Sequence, residues 1–363
     1  MSRSLTVESA RDLGLLFAGN PHGMIGQDGA YSIPLGDETL WFFGDTLIGR
    51  RRANESLWYP DGKPVGPRDM SGVGGVARMI NNSGLLVPAA EGPDVLRRFR
   101  YICDERGELK TLLPLERDEH PDRDRIWCQH GVKVRDQVYL SFIKVRMTDE
   151  PTPPLPIGFE IVGSGLAVGS TRDWDFRRVT RADGDSILWR ADEPHFATAF
   201  MLDPPSGRVL LYGTVRREGV QRCYLARVAP DAMEDPDAYE YLTSPAPRWG
   251  RHVEDAVPIF GGMPSELSVS FNEHLGQYLA VHSLDLTGKI VARTAPHACG
   301  PWSEPVTLWT VRPPPRQYPV PYPTLIYAGK EHPEIAADGG RKIYLTYVEF
   351  EEYFPHLVEV TLT

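Results

Sequence analysis

Cysteine is scarce: the 363 residues hold four, at Cys103, Cys128, Cys223 and Cys299, with no CxxC pair. That spacing supports neither a zinc site nor a dithiol redox centre, and reads as scattered reduced thiols. No apolar run reaches eighteen residues, so no segment is a candidate membrane-spanning helix. The first twenty residues lack an apolar core followed by a cleavage signal. On that ground the chain is expected in the cytoplasm, or outside the cell if a leader has been removed. Positive charge is in deficit, with 39 basic against 49 acidic residues and a formal charge of −10. This argues against a nucleic-acid backbone as partner, and Arg50-Arg51-Arg52 and Arg97-Arg98 read as solvated surface. Long helical periodicity is missing, which counts against a TIM barrel and a doubly wound sheet. A phosphate-binding GxxxxGK[ST] loop, a calcium loop, HExxH and GxSxG are all absent, so no cofactor or metal is required by motif. An axial ion held by carboxylates and carbonyls stays open.

Turn formers are abundant instead: 34 Gly and 33 Pro, beside a hydrophobic content of 41% that is enough for a sizeable core. The clearest local pattern runs from Gly26 to Thr46, GQDGAYSIPLGDETLWFFGDT. It reads as a β-hairpin, with strands Ala30 to Leu35 and Glu38 to Phe43 about a Gly36-Asp37 turn. In that register opposed residues have numbers summing to 73, so Asp28 faces Asp45 at the open end. Directly opposed Cβ atoms lie roughly 4.5–5.5 Å apart. Two carboxylates that close raise one pKa unless cations or donors relieve them. An acid/base pair, a metal site and two separately bonded turn aspartates all fit this pattern.

The strand–turn–strand design recurs at Arg125–Phe142, Phe196–Thr214, Ser265–Ser283 and His332–Val348. Low identity between units and irregular spacing of roughly 60–100 residues suit a radial repeat with insertions. The expected fold is all-β, a five-bladed β-propeller forming a single domain over residues 1–363. Its blades are placed at about 20–85, 124–180, 190–245, 260–310 and 325–363. Residues 47–70, 86–123, 146–160 and 231–262 are expected to form loops. A β-sandwich with extra strands is the competing fold. Ser71-Gly72-Val73-Gly74-Gly75-Val76-Ala77 lacks the context of a dinucleotide loop. Its glycines are read as permitting close backbone packing or approach of a ligand.

Asp28-Gly-Ala-Tyr-Ser32 followed by Leu40-Trp-Phe-Phe-Gly-Asp-Thr46 resembles the start of proteins in the domain-of-unknown-function 4185 group. Ser265-Glu266-Leu267-Ser268-Val269 with Phe271-Asn272 looks like that group's fourth blade. His332-Pro333-Glu334 with Asp338-Gly-Gly340 and Ile343-Tyr-Leu-Thr-Tyr347 looks like its last. The group resembles five-bladed propeller glycoside hydrolases, including endo-D-arabinanases and, more distantly, arabinanases and β-xylosidases. The resemblance implies an axial pocket for an oligosaccharide or polysaccharide, with carboxylates at the ends of inner strands. The arabinanase pattern draws three carboxylates from different blades. The third unit here offers Asp192, Glu193 and His195 without a clear acid motif, which shifts weight to Asp28, Asp45 and Glu266.

Glycosidic cleavage needs a proton donor and either a nucleophilic carboxylate or a base-activated water. Asp28 and Asp45 are the first pair, with Asp45 assigned as nucleophile or base and Asp28 as acid, or the reverse. Glu266 is the third carboxylate, or a plain strand-end Glu. Candidate substrate contacts are Arg78, Trp127, His130, His332 and Glu334. The alternative for His332 is a satisfied structural histidine, and Arg78 either contacts substrate or pairs with an aspartate. Trp58, Tyr59 and Trp127 flank loops or strand starts and are the candidates for sugar stacking, whereas Trp41 and Phe43 share one face of a strand and read as packing. The expected function is a glycoside hydrolase acting on a furanoside-containing or related polysaccharide. The alternative is a non-catalytic carbohydrate-binding or interaction propeller, since a fold alone does not establish activity.

Overall fold

The computed structural model describes residues 4–66, 68–313, 315–316 and 318–363. Among these, every regular element is a β-strand apart from seven short 3-10 turns, and no helix is long and apolar enough to cross a membrane. The chain is all-β.

Five sheets follow one another along the sequence, and every paired strand within them is antiparallel. The first holds Tyr31–Pro34, Glu38–Phe43, Ser83–Pro88 and Arg100–Tyr101. The second holds Asp124–Val134, Gln137–Thr148, Gly158–Gly169 and Phe176–Arg178. The third runs His195–Asp203, Arg208–Arg217, Val220–Val228, Glu240–Ser244 and Arg248–Gly250. The fourth runs Ser268–Asn272, Gln277–Ser283, Lys289–Ala295 and Val306–Thr310. The fifth takes Ile326–Glu331, Lys342–Glu349 and Pro355–Leu362, and its outermost strand is Val7–Leu15 from the other end of the chain. A three-stranded side sheet, Met24–Gln27, Thr46–Gly49 and Val76–Ile80, extends the opening hairpin.

Each sheet is covered on both faces by its neighbours. Val132, Leu166 and Trp189 pack with Phe196, Leu211 and Tyr224 between the second and third sheets. Ile33, Leu40 and Phe42 pack with Ile126, Leu140 and Phe142 between the first and second. Equivalent clusters join the third to the fourth, the fourth to the fifth, and the fifth back to the first through Trp41, Phe43, Tyr344 and Leu357. Double-sided burial explains why central strands such as Gln277–Ser283 are buried at every position instead of alternately. Each fully buried Leu, Ile or Phe adds about 1.5–3 kcal/mol relative to exposure. The first strand of each sheet also lies against the first strand of the next. The series returns to its start where Lys330 Nζ donates to the carbonyl of Gly29 and the Pro333–Ile335 turn meets Tyr31–Pro34.

Several expected loops carry strand. Thr46–Gly49 is paired on both edges. The expected loop at 146–160 is the end of a long hairpin, with strands running to Thr148 and resuming at Gly158. Residues 231–262 include Glu240–Ser244 and Arg248–Gly250. In the last unit the leading strand is Ile326–Glu331, and residues 332–340 form turns instead of a strand. The Gly-rich 71–77 stretch serves close backbone packing: Arg50 N donates to Gly75 O at 2.9 Å, and a Cβ on Gly75 would lie 2.2 Å from the Arg50 carbonyl oxygen. Gly75→Ala is therefore expected to lower stability by about 1–3 kcal/mol, read as an earlier midpoint in urea unfolding.

Candidate active site

The opening hairpin has the register its turn chemistry dictates. Tyr31 pairs with Phe42, Ile33 with Leu40 and Pro34 with Thr39, and Gly36 supplies a φ of 109° at the turn. The ladder does not end at the two aspartates. It resumes beyond them in the same register, with Gln27 opposite Thr46 and Gly26 opposite Leu47. Asp28 and Asp45 thus sit at an interruption in the middle of a longer ribbon, not at its open end. Gly29 and Ala30 adopt left-handed φ values of 82° and 56° there, and the Asp28 carbonyl accepts from Gly44 N at 3.0 Å. A Cβ at Gly44 would come within 2.5 Å of Asp28 Oδ1, so glycine at 44 is what leaves room for the carboxylate.

Both aspartates line a cavity of about 670 Å³, together with Glu266 and Trp127. Tyr327 donates to Asp28 Oδ2 at 2.9 Å, and Tyr353 also hydrogen-bonds this carboxylate. Trp127 Nε1 donates to Asp45 Oδ2 at 3.2 Å. Asp45 Oδ1 is buried with no hydrogen-bond partner among the described residues.

Burial pushes Asp28 up to about 7; the charge of Asp45 adds to the rise, the Tyr327 hydroxyl opposes it, and Glu266 raises it further. Asp45 is pushed to about 6 by burial, while Arg125 and the Trp127 indole hold it down and Asp69 raises it slightly. Burial also raises Glu266, against the opposing charge of Lys330.

Lys330 was not foreseen. It is 1% exposed, donates to Ala328 O at 2.7 Å and to Gly29 O, and sits 4.4 Å from the Tyr31 ring centroid. Burial lowers it to about 8 even though Glu266 favours its charge. Its strand carries a bulge between Tyr327 and Lys330, with Ala328 at a φ of 58°. The bulge brings Tyr327 to the Asp28 side chain and Lys330 to the next carbonyl along.

The other proposed substrate contacts do not line the cavity. Arg78 lies on the outer side of its strand in an exposed ion pair with Glu108 at 2.6 Å, whereas its neighbour Met79 faces the cavity. His130 Nδ1 is 2.9 Å from Gly131 O, and burial pushes the ring down to about 4. His332 is fully buried and stacked on Trp41, with centroids 4.2 Å apart. Its Nδ1 meets Ser32 Oγ at 2.8 Å and its Nε2 meets Thr346 Oγ1 at 2.7 Å. Ser32 in turn donates to Glu334 Oε2 at 2.6 Å. That chain assigns the His332 proton to Nδ1 and Thr346 as donor to Nε2, a neutral ring consistent with a pKa lowered by burial. His332 and Glu334 belong to a buried polar network on the first strand. Among the aromatic candidates, Trp58 lines the cavity but is 4% exposed beneath Phe350.

The family model for DUF4185, a domain of unknown function, matches residues 12–359. The chain belongs to this family. No curated protein matches it. Among solved structures, the DUF4185 chain is similar in fold to a provisionally assigned hydrolase from Bacteroides ovatus, with 16% identity, a TM-score of 0.62 and coverage of 93% of this chain and 86% of that one. A xylan β-1,4-xylosidase from Bacillus halodurans aligns at 10% identity and a TM-score of 0.50, over 94% of this chain and 54% of that one. An exo-β-1,3-galactanase from Clostridium thermocellum gives 11% identity and a TM-score of 0.50, over 98% and 63%. At such identities the likeness is one of fold.

Proposed function

We propose that this DUF4185 protein is a glycoside hydrolase built on a five-bladed β-propeller, a single domain with the five sheets as its blades. The axial cavity takes a furanoside-containing or related glycan. The observation that carries the reading is the presence of Asp28 and Asp45 in one cavity, both with raised affinity for a proton. With Asp45 raised to about 6 and Asp28 to about 7, Asp45 is taken as the first of the two to ionise. The reading takes the retaining route, in which the acid and the nucleophile stand about 5–5.5 Å apart.

In that mechanism Asp45 attacks the anomeric carbon while Asp28 gives its proton to the leaving oxygen. A water then enters, Asp28 takes its proton, and the glycosyl–Asp45 bond breaks, restoring both residues. Glu266 raises the proton affinity of Asp28 and so favours the acid form before cleavage. Lys330 balances the negative charge from below.

Release of reducing ends from arabinans and related furanoside polysaccharides tests the reading. Glycan binding across such a panel with no product would replace it by a carbohydrate-binding propeller. A bell-shaped pH profile is expected, its acidic limb set by Asp45 and its alkaline limb by Asp28. Trp127→Phe removes the donor to Asp45 Oδ2, so Asp45 should ionise at higher pH. The acidic limb of kcat should move up by about half to one pH unit, with the alkaline limb unmoved.

A further inference from the structure

We infer that Lys330 is a positioning residue for Asp28: one buried ammonium holds both backbone segments that meet in the Tyr327–Asp28 hydrogen bond, and so fixes the direction in which Asp28 presents its proton. This rests on the hydrolase reading and adds a residue to it. The two segments belong to different sheets. Asp28 is followed by Gly29, whose carbonyl accepts from Lys330 Nζ. Tyr327 is followed by Ala328, whose carbonyl accepts from the same Nζ at 2.7 Å. Donor and acceptor of the 2.9 Å Tyr327–Asp28 bond are therefore each held, one residue further on, by a single head group. Both holding points are irregular. Gly29 and Ala328 have left-handed φ values of 82° and 58°, and each falls where strand pairing lapses, between Gln27 and Tyr31 and between Tyr327 and Lys330. The ladder itself does not fix the backbone there.

A lysine is an expensive tie if its only role is to join two sheets. Lys330 is buried, and among the described residues its contacts are two neutral carbonyls and the face of Tyr31, with no ion pair. A methionine of similar length would fill this space without taking a charge out of water. The charge has a direction. Glu266, Cys128 and Asp28 favour it, and each attraction is mutual; His130 and His332, which also feel it, are kept neutral by burial and by Lys330. The bulge does not depend on the lysine alone, because Gly329 N donates to Ser283 Oγ at 3.0 Å and ties it to the fourth sheet. Lys330 does not line the cavity, so its replacement leaves the substrate's own contacts in place. A small misplacement of a reacting group by a change behind it is enough to cost about 10²-fold in rate.

The test is a double-mutant cycle on the intact protein. Its first readout is the NMR titration of the Asp28 carboxyl carbon, assigned by its loss in Asp28→Asn. Tyr327→Phe removes a donor to the ionised carboxylate, so in the wild-type background Asp28 should titrate about one pH unit higher. In a Lys330→Met background, where the tyrosine is no longer held against the carboxylate, Tyr327→Phe should leave the titration unmoved. The second readout is turnover of an alkyl arabinofuranoside. Lys330→Met should lower kcat by about 10–100-fold with KM little changed, and adding Tyr327→Phe should lower it no further. Lys330→Gln, whose amide on a shorter stem cannot span both carbonyls, should behave as Lys330→Met does and replaces it if that variant is unfolded by circular dichroism. An equal Tyr327→Phe shift in both backgrounds, or wild-type kcat in a folded Lys330 variant, would overturn the positioning role and leave the hydrolase reading standing. Failure of both Lys330 variants to fold would make the lysine structural and overturn the role as well. Loss of the Tyr327→Phe shift in a protein that turns over no furanoside would uphold the hold on Asp28 and overturn the hydrolase reading.

Discussion

Asp45→Asn is expected to lower glycoside turnover by more than about 10⁴-fold, the scale of losing a nucleophile, and Asp28→Asn by about 10²–10⁴-fold, the scale of losing a general acid. Both variants should fold. Asn keeps an acceptor oxygen for Tyr327 at position 28 and for the Trp127 indole at position 45. The two roles separate with the leaving group. A 2,4-dinitrophenyl glycoside departs with little help from a proton, so Asp28→Asn should retain much of its first step on that substrate, while Asp45→Asn should not. Azide added to the Asp45→Asn protein would supply the missing nucleophile and form a glycosyl azide. Wild-type turnover in either variant would remove that residue from the chemistry. Rescue of Asp28→Asn but not Asp45→Asn by the activated leaving group would fix which carboxylate is the acid.

The register of the opening hairpin was legible because it depends on local rules. A Gly-Asp turn and two short apolar strands set the register, and the sum of 73 holds from Pro34–Thr39 to Tyr31–Phe42 and again at Gln27–Thr46 and Gly26–Leu47. Continuation of the ribbon past Asp28 was hidden, because Gly26, Gln27 and Thr46 carry no hydrophobic alternation. The Ile326–Glu331 strand was missed for a related reason. Its bulge at Ala328 breaks the two-residue period, and Lys330 and Glu331 are charges that turn inward. The Val7–Leu15 strand has two register shifts of its own and few buried positions, so its sequence reads as surface. Face assignment decides the contacts that were misplaced. Met79 and Trp127 line the cavity, while Arg78 and His130 do not; Arg78 is one residue from Met79 and so on the other face, and His130 sits at a register shift between Cys128 and Gly131. Tyr353 and Tyr327 reach Asp28 from the far end of the chain, and no local pattern encodes that meeting.

Burying the acid pair should also show in stability, and the direct comparison is between wild type and Asp28→Asn as a function of pH. Asp28 is raised from 3.8 to about 7 in the fold, chiefly by burial and then by Asp45. Between those values the folded protein holds a proton that the unfolded chain has released. Stability from this group is therefore fully present below about pH 4 and is lost as pH rises through 7. Wild type alone would blur the effect. Glu331 and Glu334, also raised to about 7 by burial, slope the same way, but His130 and His282, lowered by burial to about 4, slope oppositely between pH 4 and 6.5. The difference between the two proteins cancels those shared contributions. Asn at 28 carries no charge at any pH, so the variant is expected to be more stable than wild type at pH 8 by on the order of 2–4 kcal/mol, and the gap should shrink toward zero by pH 4. Urea unfolding at each pH reads it. A gap that stays constant with pH would mean that Asp28 is charged in the fold as readily as in water, and would remove it as a proton donor. A gap that closes as pH falls would show the wild-type carboxylate held at a cost in stability, the trade expected of a group retained for catalysis.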